Sequence, residues 1–92
     1  MMMKKNGITH EGASALSQCL CNSINLKELN MAGNMLGDAG CDIIAGAVAG
    51  KEFLTMLNLS DNQITDEGCI KVMNALEDND TLAELNLSSN DI

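Results

Sequence analysis

The chain contains no proline, tryptophan, tyrosine or arginine, one phenylalanine (Phe53) and one histidine (His10). Each absence excludes something. With almost no rings, the core must come from Leu, Ile, Val, Met, Ala and Cys, which suits thin layers in which one slot recurs. Without arginine the chain cannot itself supply an arginine finger to a phosphoryl-transfer site. There is no Ser-His-Asp order, no G-x-x-x-x-G-K-[ST] loop and no cluster of metal ligands, so no catalysis, cofactor or metal is expected. All five basic residues are lysines, against 13 Asp and Glu, for a net charge of −8. That balance lacks the basic footprint that nucleic acid needs and argues against anionic membranes. No apolar run is long enough for a signal peptide or a membrane span, so the expected compartment is the cytoplasm.

What is present fits a folded chain: 92 residues, 46% hydrophobic and 20% charged, enough for one small domain. The four cysteines Cys19, Cys21, Cys41 and Cys69 lack zinc-ligand spacing and read as reduced thiols acting as small hydrophobes. Cys41 and Cys69 fall at matching places on neighbouring helices. Packed helices lie ~8–10 Å apart, beyond the ~7 Å Cα separation a disulfide tolerates.

The dominant signal is a repeat. Leu26, Leu54 and Leu82 stand 28 residues apart, as do Leu29, Leu57 and Leu85, then Met31, Leu59 and Leu87. Asn6, Asn34, Asn62 and Asn90 keep the same step, and so do Ile8, Leu36, Ile64 and Ile92. Each unit reads L-x-x-L-x-[LM]-x-x-N-x-[LI], in this chain LKELNMAGNML, LTMLNLSDNQI and LAELNLSSNDI. So many coincident columns without a gap are not a chance event.

A second pattern lies between these blocks. Gly12, Gly40 and Gly68 share a column, as do Leu16, Ile44 and Val72, and Leu20, Val48 and Leu76. Cys69, Val72, Met73 and Leu76 fall at i, i+3, i+4 and i+7, one face of a helix. The spacing predicts helices near 10–22, 38–49 and 66–78, with Asp38 and Asp66 able to cap the last two and His10 a weaker cap on the first. The L-x-[LM] cores alternate and predict strands near 28–31, 56–59 and 84–87, with Leu29 and Met31 inward and Glu28, Asn30 and Ala32 outward. Helix and strand in alternation give a parallel sheet with helices on its other side. Helices need more room than strands, so the stack curves with the strands inside.

At these residues the chain resembles the leucine-rich repeat superfamily. Its 28-residue units and their G-x-x-x-[LIV]-x-x-x-[LV] helices look like the ribonuclease-inhibitor-like subclass, whose repeats occur in NOD-like receptors and Ran GTPase-activating proteins. The resemblance implies an α/β fold: a right-handed solenoid of about three repeats, strands concave and helices convex. The expected organisation is a disordered tail at 1–5 and a repeat segment at 6–92, with units near 6–33, 34–61 and 62–89 and the start of a fourth. Such proteins usually carry more repeats and capping units, which implies that this is a segment of a longer parent chain with neighbouring repeats. The resemblance also implies that the Asn34, Asn62 and Asn90 side chains turn inward and satisfy backbone groups.

By the same resemblance the implied function is protein binding, as part of a larger receptor or scaffold. The alternatives are a fragment of a Ran-type GTPase-activating protein and a structural fragment with no activity of its own. The candidate contact residues are those on the outward, concave side of the strands and at its edge: Glu28, Asn30, Met56, Asn58, Ser60, Asp61, Glu84, Asn86 and Ser88. A solvated strand face would look the same. Met56 is the sizeable apolar group among them, and Glu28, Asp61 and Glu84 would favour a basic protein partner. The stretch Glu77 to Asp80 reads as a solvated acidic loop, since it lacks the Gly and closing Glu of a calcium loop.

Overall fold

The computed structural model describes residues 7–21, 26–49, 54–77 and 81–91, the side chain of Cys21 excepted. The expected tail at 1–5, the first asparagine of the ladder (Asn6), Phe53, most of the acidic loop (78–80) and Ile92 lie outside the described residues. Helix and strand alternate: α1 (His10–Cys21), β1 (Glu28–Asn30), α2 (Gly37–Val48), β2 (Met56–Asn58), α3 (Asp66–Ala75) and β3 (Glu84–Asn86). The strands form one parallel sheet in the order β1-β2-β3. Leu29 pairs with Leu57 and Leu57 with Leu85, so the sequence period is also the strand register. The helices pack in a row, α1 on α2 and α2 on α3.

The core lies between the two layers. Leu29 and Leu57 reach it from the strands, Met31 and Leu59 from the residue just after each strand, Leu20, Ile44, Val48 and Val72 from the helices, and Leu36, Leu54 and Ile64 from the connections. Leu82, Leu85 and Leu87 in the third unit are packed against this core but only partly buried. A unit with a neighbour on each side is sealed, whereas a unit with one neighbour keeps an open flank.

Several boundaries differ from the sequence pattern. Each strand is one residue shorter than expected, although pairing runs on, with Met31 N–H donating to Asn58 O at 2.9 Å and Leu59 N–H to Asn86 O at 2.8 Å. Helix α3 stops at Ala75, because Leu76 leaves the helical range at φ −98°, ψ 6°. Met73 shares the helical period of Val72 and Leu76 but is 54% exposed. Its equivalent Ala45 is 2% exposed, being on the side of α2 that α3 packs against. The period places both residues on the same flank of their helices, and only α2 has a described helix covering that flank.

The capping pattern is also not the local one. Asp38 lies inside α2, and the residue before that helix, Leu36, makes no side-chain cap. Asp38 instead reaches into the next unit. Its Oδ1 accepts Thr65 N–H at 2.7 Å and Gly68 N–H at 3.2 Å, and its Oδ2 accepts the Thr65 hydroxyl. Thr65 precedes α3 and Gly68 is its third residue, so Asp38 does for α3 what an N-cap side chain ordinarily does for its own helix. Glycine is needed at position 68 because a Cβ there would meet Asp38 Oδ1 and Ile64 Cγ2.

These bonds, that from the Thr65 hydroxyl first, lower the Asp38 pKa below its usual 3.8. A depressed carboxylate pKa stabilises the fold above the unfolded value, and that contribution is lost as pH falls through the folded one. Asp38→Ala should therefore cost about 1 kcal/mol near neutral pH. In denaturant titrations the gap between variant and parent should narrow as pH falls below the usual 3.8 of Asp38 and through its lowered pKa. A gap that does not change with pH would show that the carboxylate is not what joins the units.

Cys19, Cys41 and Cys69 are free thiols. Burial, followed by the charges of Asp38 and Asp42 and by Cys69, pushes the Cys41 thiol up to about 12. Its Sγ donates to Gly68 O at 3.6 Å, which ties α2 to α3 a second time.

Candidate functional site

The outward residues of the three strands form one surface because the register is continuous. Glu28, Met56 and Glu84 make one row across the sheet, and Asn30, Asn58 and Asn86 make the next. With adjacent strands ~4.8 Å apart, the strands bearing Glu28 and Glu84 are separated by roughly 10 Å with Met56 between them. Glu28, Glu84 and Asn86 are exposed, while Asn30, Met56 and Asn58 are half-buried. Two carboxylates therefore flank a thioether that stands partly clear of the surface.

The second row is held in place from within. Asn58 Oδ1 accepts the Ser60 N–H at 3.0 Å and the Ser60 hydroxyl at 2.8 Å. Asn86 and Ser88 repeat this at 2.9 and 2.7 Å. Asn30 Oδ1 accepts Ala32 N–H at 3.1 Å. The side-chain oxygen thus closes a turn at the end of each strand, the usual use of Asn where a strand gives way to a loop. The same bonds fix how these amides sit. Ser60 is half-buried and Ser88 exposed, both beside their asparagines.

Two details differ from the sequence reading. Ala32, expected outward, is buried, because the chain is already turning there. Asp61 is exposed but adopts φ 55°, in one column with Gly33 at 72° and Ser89 at 58°. The turn requires a left-handed residue at this point, which costs glycine nothing and which Asp tolerates better than most. Asp61 N–H also donates to Ser88 O at 3.0 Å. Position 61 is therefore set by the backbone turn, with its carboxylate left at the rim of the strand face.

The inner asparagine column is structural. Asn34 Oδ1 accepts Ile8 N–H at 3.0 Å and its Nδ2 donates to Met31 O at 2.8 Å. Asn62 is fully buried; its Nδ2 donates to Met31 O at 2.8 Å and Ser60 O at 3.0 Å, and its Oδ1 accepts Leu36 N–H at 3.4 Å. Asn90 binds Leu59 O and Leu87 O through Nδ2 and accepts from Asn62 N–H and Ile64 N–H. Each of these amides from the second unit onward ties its own turn to the unit before it.

The Asp38 bridge was not legible as a site feature in the sequence. The available signal was its distance to Thr65 and Gly68, one period give or take two residues. Among the described residues there is no cluster of three or more His, Cys, Asp or Glu able to hold a metal ion. No helix among them is long and apolar enough to cross a membrane.

The family model described as "Leucine Rich repeat" matches residues 22–45, 50–73 and 78–92. No curated protein matches the chain. Among solved structures, one described as leiomodin-1 actin-binding site 2 superposes with a TM-score of 0.85 at 26% identity, over 99% of this chain and 52% of that one. The chain thus spans about half the length of the structure it matches.

Proposed function

Since the chain belongs to the leucine-rich repeat family, we propose that it is a protein–protein interaction module whose contact surface is the outward face of its strands. The observation that carries this reading is the register. It sets Glu28, Met56 and Glu84 beside Asn30, Asn58 and Asn86 on one rigid face, with Ser60, Ser88 and Asp61 at its rim. Met56 is its apolar centre, and the three carboxylates favour a basic surface on the partner. The 28-residue period with one helix per unit fits the ribonuclease-inhibitor-like subclass. The free thiols of Cys19, Cys41 and Cys69 fit a reducing, cytoplasmic setting. A place within a larger receptor or scaffold, beside further repeats, fits a chain that spans half of its structural match.

Actin is the first partner to try, because the matched structure is described as an actin-binding site. Binding of fluorescent monomeric actin should weaken roughly tenfold or more when Glu28→Lys is combined with Glu84→Lys, on the order of 1.4 kcal/mol. It should also weaken as ionic strength rises. The helix-side control, Glu67→Lys with Glu77→Lys, should leave binding unchanged. Loss in the control pair alone would move the contact to the helices. An absence of binding by the parent chain would remove actin as the partner.

A further inference from the structure

The strand face carries a row of hydrogen-bond donors that the fold does not use. Asn30, Asn58 and Asn86 each give their Oδ1 to the turn that follows, at the N–H of Ala32, Ser60 and Ser88. A backbone N–H can only donate, so the atom it meets is the amide oxygen, and the Nδ2 lies on the other arm. None of the three Nδ2 groups has a partner among the described residues. The register puts these amides on adjacent strands, so the donors recur at ~4.8 Å across the sheet. Glu28, Met56 and Glu84 run parallel to them, two residues back along each strand, or ~6.6 Å away. That row reads charged, apolar, charged, with its outer strands roughly 10 Å apart.

These spacings select the shape of an occupant. A segment lying across the strands meets each of them at steps of ~4.8 Å. An extended segment repeats a side chain on one face every ~6.6–6.8 Å and then at ~13 Å, which matches neither one strand step nor two. A helix matches both: its pitch is ~5.4 Å, and residues i and i+7 lie ~10.5 Å apart on one face. One helical turn then falls on each strand. Lys or Arg at i and i+7 would face Glu28 and Glu84, and an apolar residue at i+3 or i+4 would face Met56. The half-buried Met56 has a flexible thioether that adapts to such a neighbour. Side-chain oxygens on the adjoining flank of the same helix would take up the Nδ2 donors.

We propose that the strand face takes a basic amphipathic helix of its protein partner, laid across β1, β2 and β3 with one helical turn on each strand. This rests on the strand-face reading given above and adds the shape and register of what docks there. Charge complementarity supports it. Glu28 and Glu84 stand on the face and Asp61 at its rim, against Lys27 beside Glu28, in a chain of net charge −8. The rigidity of the face supports it too. Ser60 and Ser88 hold the Asn58 and Asn86 side chains through a hydroxyl as well as an N–H, so little ordering is left for the moment of binding.

A titration of the whole isotope-labelled chain with synthetic peptides, followed by NMR amide shifts up to millimolar peptide, tests this. The probe is an alanine–glutamine peptide of roughly 18 residues, long enough to be helical, with Lys at i and i+7 and Leu at i+3 and i+4. One control has the same composition with its lysines at i and i+5, on different faces of the helix. A second carries a proline between the lysines, which breaks the helix. The probe should shift the amides of β1, β2 and β3 saturably and bind roughly tenfold tighter than either control. Glu84→Lys should weaken the probe by about the same factor, and a peptide with Lys at i and Glu at i+7 should restore binding to that variant. Equal affinity for probe and controls, with shifts still on the strands, would overturn the helix and keep the strand face as the contact. Shifts confined to α1, α2 and α3 would overturn both readings. No shift at millimolar probe would overturn the helix alone and leave the strand face to the charge reversals with actin.

Discussion

Leu57→Ala should remove about 3–5 kcal/mol of stability, the top of the range for a leucine deleted from a core. Leu57 is fully buried in the central strand, between Leu29 and Leu85 in the register. The units on both sides are fixed by their own pairing, so the surroundings cannot collapse onto the cavity. A chain of this size has a total stability on the order of 5–10 kcal/mol, so the loss would take roughly a third of it or more. Two comparisons give the result its meaning. Asn58→Ala, on the other face of the same strand, should cost about 1 kcal/mol, for its bonds to Ser60 at a half-buried site. Leu85→Ala, in a half-buried slot, should fall between the two. Equal losses for Leu57 and Asn58 in a urea titration would mean that the strand faces are reversed.

Asn62→Ala should cost about 1–3 kcal/mol although it removes only a small polar group. The Asn62 amide is fully buried and serves the Met31 and Ser60 carbonyls and the Leu36 N–H. Deleting it leaves the Leu36 N–H without an acceptor, while Met31 O keeps Asn34 Nδ2 and Ser60 O keeps the Gly33 N–H, and a buried unpaired group costs about 1–3 kcal/mol. The loss should be visible at a named place. In hydrogen exchange the Leu36 amide should lose protection before amides of α2 do. Asn90→Ala should cost less, because Asn90 is half-buried and water can replace part of its set. A variant at Asn62 as stable as the parent would show that these bonds are dispensable and that packing alone joins the units.

Both predictions rest on columns that can be read directly in the chain. Leucines 28 residues apart cannot all be buried unless successive units present the same face, so period and register are one fact seen twice. Likewise, a polar residue recurring in an apolar block must find partners, and the inner asparagines find them in the backbone. The outward residues were legible for the same reason: in a strand of alternating residues, naming the inside names the outside. Ala32 escaped this logic because alternation ends where the turn begins, and a sequence does not mark that residue.

Taken alone, the sequence determined the repeat length, the order of helix and strand, the strand register and the membership of the two asparagine columns. All of these follow from spacing along one chain, which tertiary packing can exploit but not alter. The tertiary structure alone decided which equivalent positions are covered. Ala45 and Met73 share a column, yet one is sealed and the other open, because burial depends on the unit next door and not on the residue's own helix. It also decided that Asp38 serves the helix after its own. Within a unit, Asp38 stands two residues past the N-cap position of α2, and the partners it satisfies lie 27 and 30 residues away. They come within reach only when one unit is stacked on the next.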